Sequence, residues 1–178
     1  MSLRHSLIAL LCATLALPAS ATPDLVILVR HAERAAEPAA DPGLTPAGEQ
    51  RAQALARALA DAHVSAIVTT QFRRTRDTAA PLARALGLQP QVVEARRGDG
   101  AGHIRDVADA VRALSGTVLV VGHSNTVPAI LAALGGPVVP ELCEGSFQHA
   151  FVLRPGARPA LLRLSYGEAG AAPTAACQ

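Results

Sequence analysis

The sequence predicts an α/β fold, a mainly parallel sheet flanked by helices in a three-layer sandwich. Two observations carry that prediction. Short β-branched, apolar runs recur at Leu25–Val29, Val64–Val68 and Thr117–Val121, the signature of strands buried on both faces. Longer Ala/Leu/Arg-rich stretches separate them, and strands alternating with helices place the helices on the faces of a parallel sheet.

Leu25–Val29 is the first strand. Thr45-Pro46 follows as an N-cap with proline at the first helical position, opening a helix over Ala47–Ala60. Val64–Val68 is the second strand. Phe72–Leu86 reads as a helix kinked near Pro81 and ended by Gly87. Gln91–Glu94 is a weaker strand, and Gly98–Gly102 a loop. Ile104–Leu114 is helical and closes at Gly116. Thr117–Val121 is a strand running into Gly122-His123, and a helix spans about Thr126–Leu134 before Gly135-Gly136-Pro137. Gln148–Leu153 and Ala160–Tyr166, joined through Arg154-Pro155-Gly156, form a hairpin, and Gly167 opens a small-residue tail. No repeat or linker divides the chain.

The N-terminus reads as an export signal over residues 1–21. Arg4-His5 precede the apolar run Leu7–Leu17, Pro18 breaks it, and Ala19-Ser20-Ala21 supplies the small-x-small cleavage pattern. The run is too short for a membrane anchor, so the expected mature chain is a single periplasmic domain, 22–178. Cys12 leaves with the signal, and an oxidising compartment then permits one bridge between Cys143 and Cys177.

Composition narrows the chemistry. All 16 basic residues are arginine, which excludes Schiff-base lysines and the lysine of a P-loop. Formal charge is only +2 and aromatic residues are 2%, so there is neither a basic run nor a stacking surface for nucleic acid.

The polar residues that follow the strands are distinctive. Arg30-His31 follow the first, Thr69-Thr70-Gln71-Phe72-Arg73-Arg74 the second, and Gly122-His123-Ser124-Asn125 the third main strand. Parallel α/β sheets bind ligands beyond the carboxyl ends of their strands, so these groups converge on one edge. Arginine forks hold phosphate oxygens in pairs, and a neutral imidazole can attack phosphorus in line. A second, protonated imidazole and the arginines then stabilise the equatorial oxygens without a metal or other cofactor.

Leu28-Val29-Arg30-His31-Ala32-Glu33 resembles the Arg-His-Gly signature of the histidine phosphatase (phosphoglycerate mutase-like) superfamily. Leu44-Thr45-Pro46-Ala47-Gly48, Thr69 to Ala79 and Val121-Gly122-His123-Ser124 match further family segments in order and spacing. The resemblance implies a phosphoglycerate mutase-like fold and a phosphatase acting on a small phosphorylated substrate. It implies His31 as nucleophile, with Arg30, Arg74 and His123 as the phosphate pocket.

Ala32 replaces the signature glycine, and the family's acidic proton donor lies in a stretch that reads here Glu94-Ala95-Arg96-Arg97-Gly98-Asp99. Glu94 and Asp99 are the candidate acids, although neither sits in a copy of that motif, and loss of an acid favours good leaving groups. Asn125 is a candidate substrate contact or a helix cap, Glu33 and Arg34 belong to a solvated loop that shapes access, and His103 and His149 are structural. Three other readings stand beside the phosphomonoesterase: a phosphohistidine-protein phosphatase, a metal hydrolase using His31, His123 and Glu33, and a non-catalytic module that captures a phosphorylated ligand. The arginines repel a cation, and metal spacing is missing.

Overall fold

The computed structural model describes residues 22–170 and Cys177; the expected export signal lies outside them. Six strands form one sheet in the order β3-β2-β4-β1-β5-β6. Four are parallel neighbours: β3 (Gln91–Val92), β2 (Val64–Thr69), β4 (Gly116–Gly122) and β1 (Pro23–Arg30). The hairpin β5 (His149–Arg154) and β6 (Ala160–Ser165) adds an antiparallel edge against β1. The expected mainly parallel sheet is present, and the antiparallel part is the hairpin read from the sequence.

Side chains alternate across the strands and so define two cores. Val26, Leu28, Val118 and Val120 face one layer with Val107, Val111, Val127 and Ile130, which come from α3 (Gly100–Arg112) and α4 (Thr126–Ala133). Ile27, Val29, Leu119 and Val121 face the other with Leu55, Ala79 and Leu82, from α1 (Pro46–Ala58) and α2 (Arg73–Leu86). The three layers are thus helix pair, sheet, helix pair. Among the described residues no helix is long and apolar enough to cross a membrane.

The helix ends follow the expected chemistry in most cases. Thr45 caps α1 by accepting from the Gly48 N–H, and Gly87 ends α2 in the left-handed region at φ 65°. Pro81 lies inside α2, which runs as one helix from Arg73 to Leu86. The expected loop over Gly98–Gly102 is instead a helix start: α3 begins at Gly100, because the Asp99 carboxylate accepts from the Gly102 N–H at 2.9 Å. A local cap outweighs the poor helix propensity of two glycines here.

Candidate active site

Strand register builds the site. Arg30 pairs with Gly122 across β1 and β4, so the next residue of each strand, His31 and His123, emerges beside the other. Their rings meet edge to face with centroids 5.3 Å apart. Thr69 pairs with Val121, which brings Thr70 and the start of α2 to the same edge. The resulting cleft, about 340 Å³, is lined by Arg30, His31, Arg74, His103 and His123, with Arg34 and Asn125 at its margin. The expected convergence of His31, His123, Arg30 and Arg74 is observed.

His31 is 5% exposed, and its Nδ1 lies 2.8 Å from the Ala32 carbonyl. A carbonyl only accepts, so the ring proton sits on Nδ1 and Nε2 carries the lone pair. Burial, reinforced by the charges of Arg74, Arg30 and Arg34, lowers its pKa to about 4 despite that hydrogen bond. His31 is therefore neutral at pH 7. The Ala32 N–H donates to Thr78 Oγ1 at 2.9 Å, tying the turn that carries His31 to α2, and the Ala32 methyl is wholly buried without displacing that contact.

His123 departs from expectation. Burial, Arg74 and His31 push its pKa down to about 3, so the cleft presents a neutral imidazole where a protonated one was expected. Low-dielectric surroundings crowded with guanidinium groups disfavour a further positive charge. Its Nε2 lies 3.4 Å from Thr70 Oγ1, and its backbone N–H donates to Thr126 Oγ1 at 2.9 Å.

Arg30 and Arg74 each rest on a phenylalanine. The Arg30 guanidinium lies 4.2 Å from the Phe147 ring centroid, and that of Arg74 lies 4.3 Å from Phe72. Arg30 Nη1 donates to the carbonyls of Cys143 and Glu144 at 2.7 and 2.8 Å, and Nη2 meets the Glu144 carboxylate at 3.1 Å. Arg73 and Arg76, close to Arg74 in sequence, are instead exposed and line a separate cavity on the outer side of α2. Burial lowers the pKa of Arg30 and of Arg74 below the ordinary arginine value, yet guanidinium stays charged at any working pH.

Several polar atoms around the cleft are buried without partners: Arg30 Nε, Arg74 Nε and His103 Nε2. Such atoms are costly in a finished interior and common where a ligand supplies the missing partner. His103, expected to be structural, is 3% exposed and lines the cleft. Phe147 and His103 lack a motif of their own, and Phe72 lies in a family segment without an assigned role there. The signal was scarcity: of only three phenylalanines, two adjoin the site.

Both candidate acids are displaced. Glu94 is exposed, and what it turns inward is its backbone carbonyl, which lies 3.3 Å from His103 Nδ1. Asp99 is committed to capping α3 and to Arg96 at 3.4 Å. Neither lines the cleft, whose sole carboxylate among the described residues is Glu144. Asn125 makes no capping hydrogen bond and is exposed at the cleft margin. Glu33 is no solvated loop residue: its carboxylate receives Nε and Nη2 of buried Arg51 at 3.0 and 2.8 Å. Burial raises the Glu33 pKa, but the Arg51 hydrogen bonds and charge outweigh it and leave the carboxyl below its usual range. Cys143 and Cys177 form the expected disulfide. No group of three or more His, Cys, Asp or Glu among the described residues is arranged to hold a metal ion.

Comparison with known proteins agrees with this geometry. The model of the histidine phosphatase superfamily (branch 1) matches residues 26–98. No curated protein matches the sequence at a significant level. Among solved structures, a candidate phosphohistidine phosphatase, SixA, from Agrobacterium tumefaciens is 25% identical, with a TM-score of 0.57 over 80% of this chain and 99% of that one. A protein histidine phosphatase SixA bound to tungstate gives a TM-score of 0.62 at 18% identity, over 79% of this chain and 96% of that one. The mycobacterial glucosyl-3-phosphoglycerate phosphatase with VO3 gives 0.59 at 18% identity, over 80% and 98%.

Proposed function

We infer that the chain is a histidine phosphatase, as the family model over residues 26–98 and the likeness to SixA support, and that it is a metal-independent phosphatase passing a phosphoryl group through His31 to water. The observation that carries this reading is the pairing of a neutral, oriented imidazole with unpartnered guanidinium N–H groups in one cleft. A phosphoryl group supplies acceptors for Arg30 Nε and Arg74 Nε while placing phosphorus before His31 Nε2.

Attack by the Nε2 lone pair forms a P–N bond and breaks the P–O bond of the ester. The arginines offset charge on the equatorial oxygens. His123 begins neutral, and the arriving dianion raises its pKa by direct attraction. Water then displaces the phosphoryl group from His31, releasing inorganic phosphate. Among the described residues the cleft's one carboxylate, Glu144, is engaged by Arg30 at 3.1 Å, so monoesters of acidic alcohols and labile P–N bonds are favoured over alkyl phosphates. That preference supports phosphohistidine as an alternative substrate class, in keeping with the SixA resemblance.

The decisive experiment traps the intermediate. Rapid quench with labelled phosphate ester is expected to yield an acid-labile phosphoenzyme in the wild type, with none in His31→Ala, and turnover that persists in chelator. Turnover without any phosphoenzyme overturns the reading. We also propose export with cleavage after Ala21, which N-terminal sequencing of the mature protein tests.

A further inference from the structure

Beyond the residues that hold and attack phosphorus, the cleft contains a third imidazole with no assigned role. His103 sits in the first turn of α3, 97% buried from its 3% exposure, and lines the same cleft as His31 and His123. Its placement is well determined by neighbours. Asp99 caps the helix through the Gly102 N–H, and the His103 backbone N–H donates to the Asp99 carbonyl at 3.1 Å. The side chain is oriented by the Glu94 carbonyl, 3.3 Å from Nδ1. Because that oxygen can only accept, Nδ1 carries the proton and Nε2 is left with its lone pair. Nε2 is buried and unpartnered.

An imidazole held by a carbonyl at one nitrogen, with a bare lone pair at the other, is the arrangement of a general base. The lone pair is of no use in gripping phosphate, whose oxygens are acceptors as well. It suits a donor, and the donor that this reaction brings into the cleft is the attacking water. We propose that His103 is the general base of the second half-reaction, drawing a proton from the water that hydrolyses phosphorylated His31. This rests on the phosphatase reading given above.

The step balances. The water oxygen forms a bond to phosphorus as the bond from phosphorus to His31 Nε2 breaks, and that electron pair returns to the His31 ring. The water proton passes to His103 Nε2, inorganic phosphate leaves, and the resulting imidazolium releases its proton to solvent. Aligning the water and accepting its proton is worth roughly a hundredfold or more in rate.

The test separates the two halves of turnover, using p-nitrophenyl phosphate, whose phenolate leaves without needing a proton. His103→Gln and His103→Ala are mixed with excess substrate under rapid-flow conditions. Each is expected to release about one equivalent of phenolate in a burst and then to turn over about a hundredfold more slowly than wild type. Labelled phosphoenzyme accumulates in parallel, and added imidazole restores the steady rate of His103→Ala. The burst amplitude counts the folded, competent sites, so misfolding cannot imitate the result. A steady rate equal to wild type, or a loss with neither burst nor accumulated phosphoenzyme in both variants, overturns the assignment. Those outcomes leave the phosphatase reading intact provided that the wild type still forms its phosphoenzyme; a wild type that forms none removes both.

Discussion

In the proposed reaction His31 must satisfy two demands that pull against each other: a nucleophilic imidazole has to be neutral, and phosphate-binding arginines have to be close. Burial chiefly reconciles them: desolvation, reinforced by the charges of Arg74 and Arg30, drives the His31 pKa to about 4. After correction for the substrate's own ionisation, kcat/KM is therefore expected to stay level as pH falls from 8 to about 5, and to decline only through the region of about 4. A decline centred on the ordinary value of 6.5 contradicts the geometry. The linkage to stability has a definite sign. The unfolded chain binds the His31 proton at 6.5 and the folded one only near 4, so this residue's contribution is present above 6.5 and is lost as pH falls from 6.5 toward 4. His31→Ala is expected to flatten that part of the stability profile, as read by urea melts. Arg74 illustrates a different constraint, because its Nε is buried while its face rests on Phe72. Arg74→Lys keeps the charge and loses both the fork and the stacking, so kcat/KM is expected to fall about a hundredfold, the usual cost of removing one transition-state donor. At this scale the motif residues could be read from the sequence, since they occupy strand ends or, for Arg74, the first turn of the helix that follows β2. His103 could not: its significance lies in one unpartnered nitrogen, which no pattern of letters encodes.

Elements deliver those residues by meeting at a few backbone contacts, most clearly where α1 reaches the loop after β1. The Glu33 carbonyl receives the Thr45 N–H at 2.9 Å and its hydroxyl at 3.3 Å, while the Glu33 carboxylate is held by Arg51 two turns into α1. Gly48 permits that approach, since a Cβ there would lie 2.3 Å from the Glu33 carbonyl oxygen. Gly48→Ala therefore has to push α1 from the loop that carries His31. A loss of about 1–3 kcal/mol by urea denaturation is expected, the usual cost of overpacking, together with lower kcat; full retention of both shows that the loop is not held from α1. The Leu44-Thr45-Pro46-Ala47-Gly48 segment thus has a physical meaning that its match to the family left implicit. Strands and helices themselves were largely legible, because β-branched runs, Thr-Pro and terminal glycine act locally. The start of α3 was not: two glycines argue for a loop, and only the Asp99 side chain bonding to the Gly102 N–H tips the balance.

The whole molecule adds a constraint linking sites distant in sequence. Layer order and sheet polarity followed from the alternation of elements, but the position of the last third relative to the cleft did not, because the stretch after α4 lacks regular structure up to β5. There the disulfide decides. Cys143 is joined to Cys177 across 34 residues, and the segment so fixed supplies the carbonyls of Cys143 and Glu144, the Glu144 carboxylate and the Phe147 ring to Arg30. Cys177 thereby braces Arg30, the proposed phosphate-binding arginine at the end of β1, more than a hundred residues away. Removing the bridge frees the unfolded chain and should lower stability by about 3–4 kcal/mol for a loop of this length. It also loosens the platform under Arg30, so KM is expected to rise in Cys143→Ser/Cys177→Ser and in reduced wild type alike. The double variant should be indifferent to reductant, whereas the wild type should respond reversibly. An unchanged KM despite lost stability would show that the carbonyls hold Arg30 without the bridge, and that the disulfide serves the fold alone.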